Sequence, residues 1–171
     1  MVSLLSQFSI DRELLADYDL CLRAITEADQ PFLYQLYAST REEELAVVPW
    51  SEEQKQTFLA FQFNAQHTFY QSQFKDAYFW VIEQADLPIG RLYLDQRADE
   101  IRIIDIALMP GCRDRGIGTA LLTAILAEGR AKQQPVRIHV EYSNRAITLY
   151  RRLGFMQIGG DDVYKLMEWS S

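Results

Sequence analysis

The chain has 171 residues, with 17 basic and 24 acidic side chains and a net charge of −7. This acidic excess argues against nucleic acid as a partner, and no apolar run is long enough to span a membrane. Two scattered cysteines are too few for a disulfide framework or a metal site, and residues 1–10 lack the pattern of a signal peptide, so we expect a cytoplasmic protein.

The hydrophobic pattern alternates strands and helices along the chain. N-cap patterns at Thr26 and Ser51 each begin a helix. Residues 87–90 predict a hairpin turn, and the near-continuous apolar run 101–108 predicts a central strand buried on both faces. In chain order we predict strands at 20–24, 78–83, 91–95, 101–108, 136–141, 155–158 and 163–169, with helices after residues 26, 51 and 116 and a last one ending at Gly154. This is the order of an α/β protein (α+β in some schemes), a single domain over 1–171 with residues 1–17 as a candidate N-terminal extension.

Residues 113–118, Arg-Asp-Arg-Gly-Ile-Gly, join the central strand to the next helix. A glycine turn at a helix start leaves backbone N–H groups unpaired, and the helix dipole favours an anion there. Gly116 and Gly118 allow a phosphate to approach the backbone closely, and Arg113 and Arg115 suit phosphate oxygens. The motif therefore predicts a pyrophosphate site.

Two alternatives to this prediction exist for the motif taken alone. One is a glycine-rich turn with two solvated arginines. The other is a dinucleotide-binding fold, but its fingerprint requires a third small residue where this chain has Leu121, and it expects no arginines before the glycines.

A second segment, residues 143–155, follows the strand at 136–141. It contains an Asn, an Ala, a Leu-Tyr pair and a Leu-Gly-Phe triplet, at Asn144, Ala146, Leu149-Tyr150 and Leu153-Gly154-Phe155. Together with Arg113, Gly116 and Gly118, these residues resemble the signatures of the GCN5-related N-acetyltransferase (GNAT) family. Many members place the asparagine three residues before the alanine, whereas Asn144 lies two before Ala146.

The resemblance implies a mixed, mostly antiparallel sheet of six to seven strands flanked by about four helices, with acetyl-CoA as co-substrate and no metal. It also implies that the strand ending at Leu108 parts from its neighbour, so that its free backbone groups hold the pantetheine arm and polarise the thioester carbonyl. The implied cofactor-binding residues are Ile106, Ala107, Leu108, Arg113, Asp114, Arg115, Gly116, Ile117, Gly118, Thr119, Asn144 and Tyr150.

Tyr150 is the candidate general acid. With Ala146, Leu149 and Leu153 it follows the i, i+3, i+4, i+7 pattern of a buried helix face, and a buried phenol needs a hydrogen-bond partner. In the family, the matching tyrosine lies near the cofactor sulfur and can protonate it.

The general base has two candidates. Alternation along the strand at 136–141 places His139 and Glu141 on one face, and some family members carry a carboxylate base at the position of His139. Asp105 is the other candidate, because it interrupts an apolar run and a buried carboxylate needs a partner. Glu141 is the candidate anchor for a cationic acceptor.

The resemblance therefore implies an N-acetyltransferase that transfers acetyl from acetyl-CoA to the amine of a small molecule or a protein, by direct attack in a ternary complex. The alternative is a non-catalytic acyl-CoA-binding module that senses the cofactor. We expect a monomer or a homodimer.

Overall fold

A seven-stranded sheet in the order β1-β2-β3-β4-β5-β7-β6 forms the centre of the protein. The computed structural model describes Phe8, Ile10 and residues 12–171, so residues 1–7, 9 and 11 of the expected N-terminal extension lie outside the described residues. The strands are β1 (Leu20–Ala24), β2 (Tyr78–Gln84), β3 (Leu87–Gln96), β4 (Ile101–Leu108), β5 (Val136–Glu141), β6 (Met156–Gly160) and β7 (Tyr164–Trp169). The helices are α1 (Arg12–Ala16), α2 (Gln30–Ala46), α3 (Glu52–Gln73), α4 (Ile117–Lys132) and α5 (Ile147–Arg152). All strand pairs are antiparallel except β4 with β5, so the predicted mixed, mostly antiparallel fold is confirmed.

The helices form one layer on each face of the sheet. The larger apolar core joins the sheet to α1, α4 and α5, with Leu121, Ile125 and Tyr150 among its buried members. The smaller core joins α2 to α3 through residues such as Leu33 and Phe63. None of the helices in the described part of the chain is long and apolar enough to cross a membrane.

The N-terminal capping of α3 matches the sequence prediction. The Ser51 hydroxyl accepts a hydrogen bond from the Gln54 backbone N–H, and the Gln54 side chain accepts one from the Ser51 N–H. This reciprocal pair satisfies two donors that a helix start otherwise leaves unpaired.

The predicted turn of the β2–β3 hairpin was wrong. The chain reverses at Ala85 and Asp86, both at positive φ (50° and 64°), and residues 87–90 belong to β3. Two residues with positive φ make a turn whose twist matches that of the strands. A register shift between Ile82 and Glu83 accommodates Pro88, which has no N–H to give to the ladder.

The strands β4 and β5 separate after three paired residues. Ile101, Arg102 and Ile103 pair with residues 136–138, and no later residue of β4 pairs with β5 in the described chain. The prediction that β4 is buried on both faces was therefore wrong, because only Ile101 and Ile103 are buried. Beyond Ile103 the two strands leave a wedge-shaped gap in the middle of the sheet, which we call the β4–β5 gap.

Candidate active site

Backbone groups of β4 line one side of the gap. The Met109 N–H donates to the Ile89 carbonyl on β3, so alternation along the strand points the groups of Ile106 and Leu108 into the gap. The Leu108 carbonyl there accepts a hydrogen bond from Arg113 Nε at 3.0 Å. Ala107 faces β3 instead, and its carbonyl lies so close to Gly90 that a side chain at position 90 would collide with it.

The predicted phosphate loop lies at the open end of this gap. Asp114 (φ 59°) and Gly116 (φ 83°) adopt left-handed backbone conformations, and α4 begins directly after Gly116. Among the described residues, none accepts a hydrogen bond from the backbone N–H groups of 114–119. Six consecutive unpaired donors at the start of a 16-residue helix are an arrangement that favours an anion.

The loop is supported by side chains from distant segments. Asp114 lies 3.6 Å from Arg145, and the Thr119 hydroxyl accepts from Arg152 at 3.3 Å. A methyl group added at Gly116 would come within 2.8 Å of the Tyr18 hydroxyl, so Tyr18 closes one side of the loop. No local pattern around Tyr18 could have revealed this contact, because it depends on the packing of the α1–β1 turn.

Asn144 holds the turn between β5 and α5. Its side-chain oxygen accepts a hydrogen bond from the Ala146 N–H at 2.8 Å, and its carbonyl accepts one from Ile147. This contact orients the helix that carries Tyr150.

Tyr150 is buried, with only 3% of its surface exposed, and its ring packs on Phe155. Its hydroxyl makes no hydrogen bond to any of the residues that the structure describes. Burial raises the pKa of Tyr150 above its ordinary value, and the charge of Asp105 raises it further.

Asp105 is held by a buried cation. Its Oδ2 atom accepts hydrogen bonds from Arg91 at 2.6 Å and from the Tyr70 hydroxyl at 3.3 Å. Arg91 is 3% exposed and also donates to Gln66. The expectation that a carboxylate at this position has a partner is therefore met, while the Oδ1 atom of Asp105 has no protein partner among the described residues.

His139 lies at the closed end of the gap, next to the side chain of Arg102. The two side chains meet at 3.0 Å, between an Arg102 terminal nitrogen and His139 Nδ1. Because a guanidinium only donates, Nδ1 must be the acceptor and Nε2 carries the proton. Burial and the Arg102 charge lower the pKa of His139. Arg102 is held in turn by the buried Glu100.

Glu141 is the last residue of β5, beyond the point where β4 and β5 separate. Arg41 on α2 contacts its carboxylate at 3.2 Å, although the two are 100 residues apart. Tyr164 pairs with Glu141 in the β5–β7 ladder, and its pKa is raised by burial and by the Glu141 charge. The structure thus brings Asp105, Glu141 and Tyr150 to one gap and leaves His139 at its closed end. Sequence reasoning missed Arg41, Arg91 and Tyr164.

Comparison with known proteins identifies the family of this chain. The family model described as "Acetyltransferase (GNAT) family" matches residues 30–155. The PaiA N-acetyltransferase of Thermoplasma acidophilum, solved in complex with coenzyme A, is 20% identical with a TM-score of 0.66, covering 89% of this chain and 99% of its own. The ribosomal-protein-S18-alanine N-acetyltransferase of Escherichia coli is 21% identical with a TM-score of 0.57, covering 88% and 93%.

A third similar structure is the Salmonella typhimurium acetyltransferase that modifies the N-terminal serine of ribosomal protein L7/L12. It is 18% identical with a TM-score of 0.58, covering 90% of this chain and 94% of its own. At these identities the three structures show the shared fold, and the family match over most of the chain favours an enzyme over a non-catalytic module. The chain belongs to the GNAT acetyltransferase family and is an acetyl-CoA-dependent acyltransferase.

Proposed function

We propose that the protein is an N-acetyltransferase in which the acetyl donor and an amine acceptor meet in the β4–β5 gap. The observation that carries this proposal is the gap itself, with unpaired backbone donors at residues 114–119 at one end and Tyr150, Asp105 and Glu141 around its centre. Acetyl-CoA supplies the thioester carbonyl and a thiolate leaving group.

The phosphate loop is proposed to bind the pyrophosphate of the donor. The free N–H groups of 114–119 and the start of α4 carry partial positive charge, and Arg113 and Arg115 add two full charges. Arg113 Nε is already fixed on the Leu108 carbonyl, so this side chain joins the loop to the end of β4. Backbone groups of Ile106 and Leu108 that point into the gap would hold the pantetheine arm and stabilise the charge that develops on the carbonyl oxygen.

The amine is proposed to enter from the side of α2 and α3, between Asp105 and Glu141. Its nitrogen attacks the thioester carbon, so that a C–N bond forms and the C–S bond breaks. The free Oδ1 atom of Asp105 accepts a hydrogen bond from the amine and takes its proton directly or through water. His139 is the second candidate base, but its Nδ1 lone pair already accepts from Arg102.

Tyr150 is proposed to protonate the departing sulfur. Its raised pKa keeps the phenol protonated at neutral pH, so the hydroxyl is available as a donor. Because the Asp105 charge is one cause of the raised pKa, a positive charge that develops on the amine beside Asp105 makes Tyr150 a stronger acid as the C–N bond forms.

The test is release of free thiol from acetyl-CoA across a panel of small amines and of peptides with free N-termini. One similar structure, from E. coli, is named a ribosomal-protein-S18-alanine N-acetyltransferase, and another, from S. typhimurium, is described as modifying the N-terminal serine of L7/L12. The panel therefore includes peptides that begin with alanine and serine. We expect turnover with at least one amine and loss of that turnover in Tyr150→Phe. CoA binding without turnover on any amine would instead favour a cofactor-sensing module.

A further inference from the structure

Arg41 and Glu141 form an ion pair across the mouth of the β4–β5 gap. Helix α2 packs on β3 and β4, whereas Glu141 belongs to β5, so a contact between them must cross the opening. The two side chains are 26% and 28% exposed, which leaves the pair accessible to solvent and to a ligand. We call this contact the Arg41 bridge.

The Arg41 bridge can open at little cost, because Arg41 has other partners on its own helix. Its second terminal nitrogen lies 3.2 Å from Glu44, and its guanidinium carbon lies 5.6 Å from the centre of the Tyr37 ring. An arginine that leaves Glu141 therefore keeps an ion pair and a cation–π contact on α2. Glu141 has no such second cation among the described residues.

The charges around the bridge favour a cation as the ligand that opens it. Glu141 and Glu44 contact Arg41 from β5 and α2. Two carboxylates around one guanidinium leave an excess of negative charge. A carboxylate ligand would be repelled, whereas an ammonium group would find Glu141 already oriented toward the opening.

We propose that Arg41 occupies the position of the acceptor's ammonium group on Glu141, and that the acceptor binds by displacing it. The inference rests on the proposed function, since it assumes that an amine enters the gap. Arg41 is then a specificity-determining residue. It weakens the binding of every cationic amine by the strength of its own contact with Glu141, and only amines that bind better than the guanidinium open the bridge.

Amine binding to the CoA complex tests this inference without any need for turnover. The probe is n-butylammonium, and tetramethylammonium, which has the same charge but no N–H donor, is the matched control. In protein labelled with ¹⁵N-arginine, n-butylammonium should shift the Arg41 guanidinium signals to saturation, and tetramethylammonium should not. Unmoved Arg41 signals with n-butylammonium, or equal shifts with both ions, would overturn the proposal.

Two variants should change the dissociation constant of n-butylammonium, measured by calorimetry, in opposite directions. Arg41→Gln should tighten binding about two- to five-fold, the range of a partly exposed ion pair. Glu44→Gln should weaken it, because Glu141 is then the only carboxylate that pairs with Arg41 among the described residues. Glu43→Gln makes the same charge change at an exposed residue that forms no ion pair with Arg41. Weaker binding in Arg41→Gln, or equal effects of Glu44→Gln and Glu43→Gln, would overturn the displacement. If n-butylammonium displaces Arg41 but the protein acetylates no amine, the result supports this inference and refutes only the proposed function.

Discussion

Replacement of Tyr150 by phenylalanine tests the proposed acid with little structural change. The ring packs on Phe155 with 5.5 Å between centroids, and phenylalanine keeps that contact. The hydroxyl has no hydrogen-bond partner among the described residues, so its removal forfeits at most about one weak bond. We therefore expect the free energy of unfolding to change by less than about 1 kcal/mol.

The effect on turnover should be far larger than the effect on stability. If the Tyr150 hydroxyl gives its proton to the sulfur, Tyr150→Phe should lower kcat about 10²-fold or more, with little change in the affinity for CoA. The raised pKa of Tyr150 also predicts where activity is lost at high pH through ionisation of its hydroxyl. This loss should lie above about pH 10 in the parent and should be absent from the variant.

The assay is release of free thiol at saturating acetyl-CoA, beside denaturant unfolding and calorimetric titration with CoA. Tyr34→Phe is the matched control, because Tyr34 also packs edge-on against a phenylalanine and loses only a 3.5 Å hydrogen bond to a carbonyl. Unchanged turnover in Tyr150→Phe, with normal stability and normal CoA affinity, would refute the role of the phenol as acid.

Three further predictions follow from the site. Gly118→Glu should abolish CoA binding in calorimetry by filling the phosphate approach with a carboxylate, whereas Gly118→Ala should bind nearly as well as the parent, because the added methyl group meets only one side-chain carbon, at 3.5 Å. The parent should lose stability as the pH falls below about 6.5, because burial and the Arg102 charge lower the pKa of His139 in the folded protein and the unfolded chain binds the proton more readily. His139→Gln should not show this loss. Matching pH–rate profiles of parent and variant would also exclude His139 as base. Arg91→Leu should lower the free energy of unfolding by about 3 kcal/mol or more in denaturant titrations, since it leaves Asp105 without its buried cation; a smaller loss would contradict the importance of that pair.

Much of the site could be predicted because its geometry is local. The phosphate loop depends on the backbone of six consecutive residues before and at the start of α4, and glycine at 116 allows the positive φ found there. The burial of Tyr150 follows from the spacing of apolar residues within one short helix. Strand alternation along β5 likewise placed His139 and Glu141 on one face, with Val140 buried on the other.

The hairpin turn shows where local patterns mislead. Leu87-Pro88-Ile89-Gly90 has the composition of a turn, yet the reversal occurs at Ala85 and Asp86. Glycine is required at position 90 because the Ala107 carbonyl approaches it from the neighbouring strand. A single sequence does not distinguish a glycine that is required by a close contact from a glycine that is required by a turn.

Only the tertiary structure decided which charged groups act together. Asp105 with Arg91 and Glu141 with Arg41 are pairs that join different elements, the second across 100 residues of chain. Such pairs depend on how helices pack on the sheet and on the separation of β4 from β5, which no short pattern encodes. By itself the sequence determined most of the local elements and the glycine-dependent backbone before α4. The arrangement of the carboxylates around Tyr150 was decided by long-range packing.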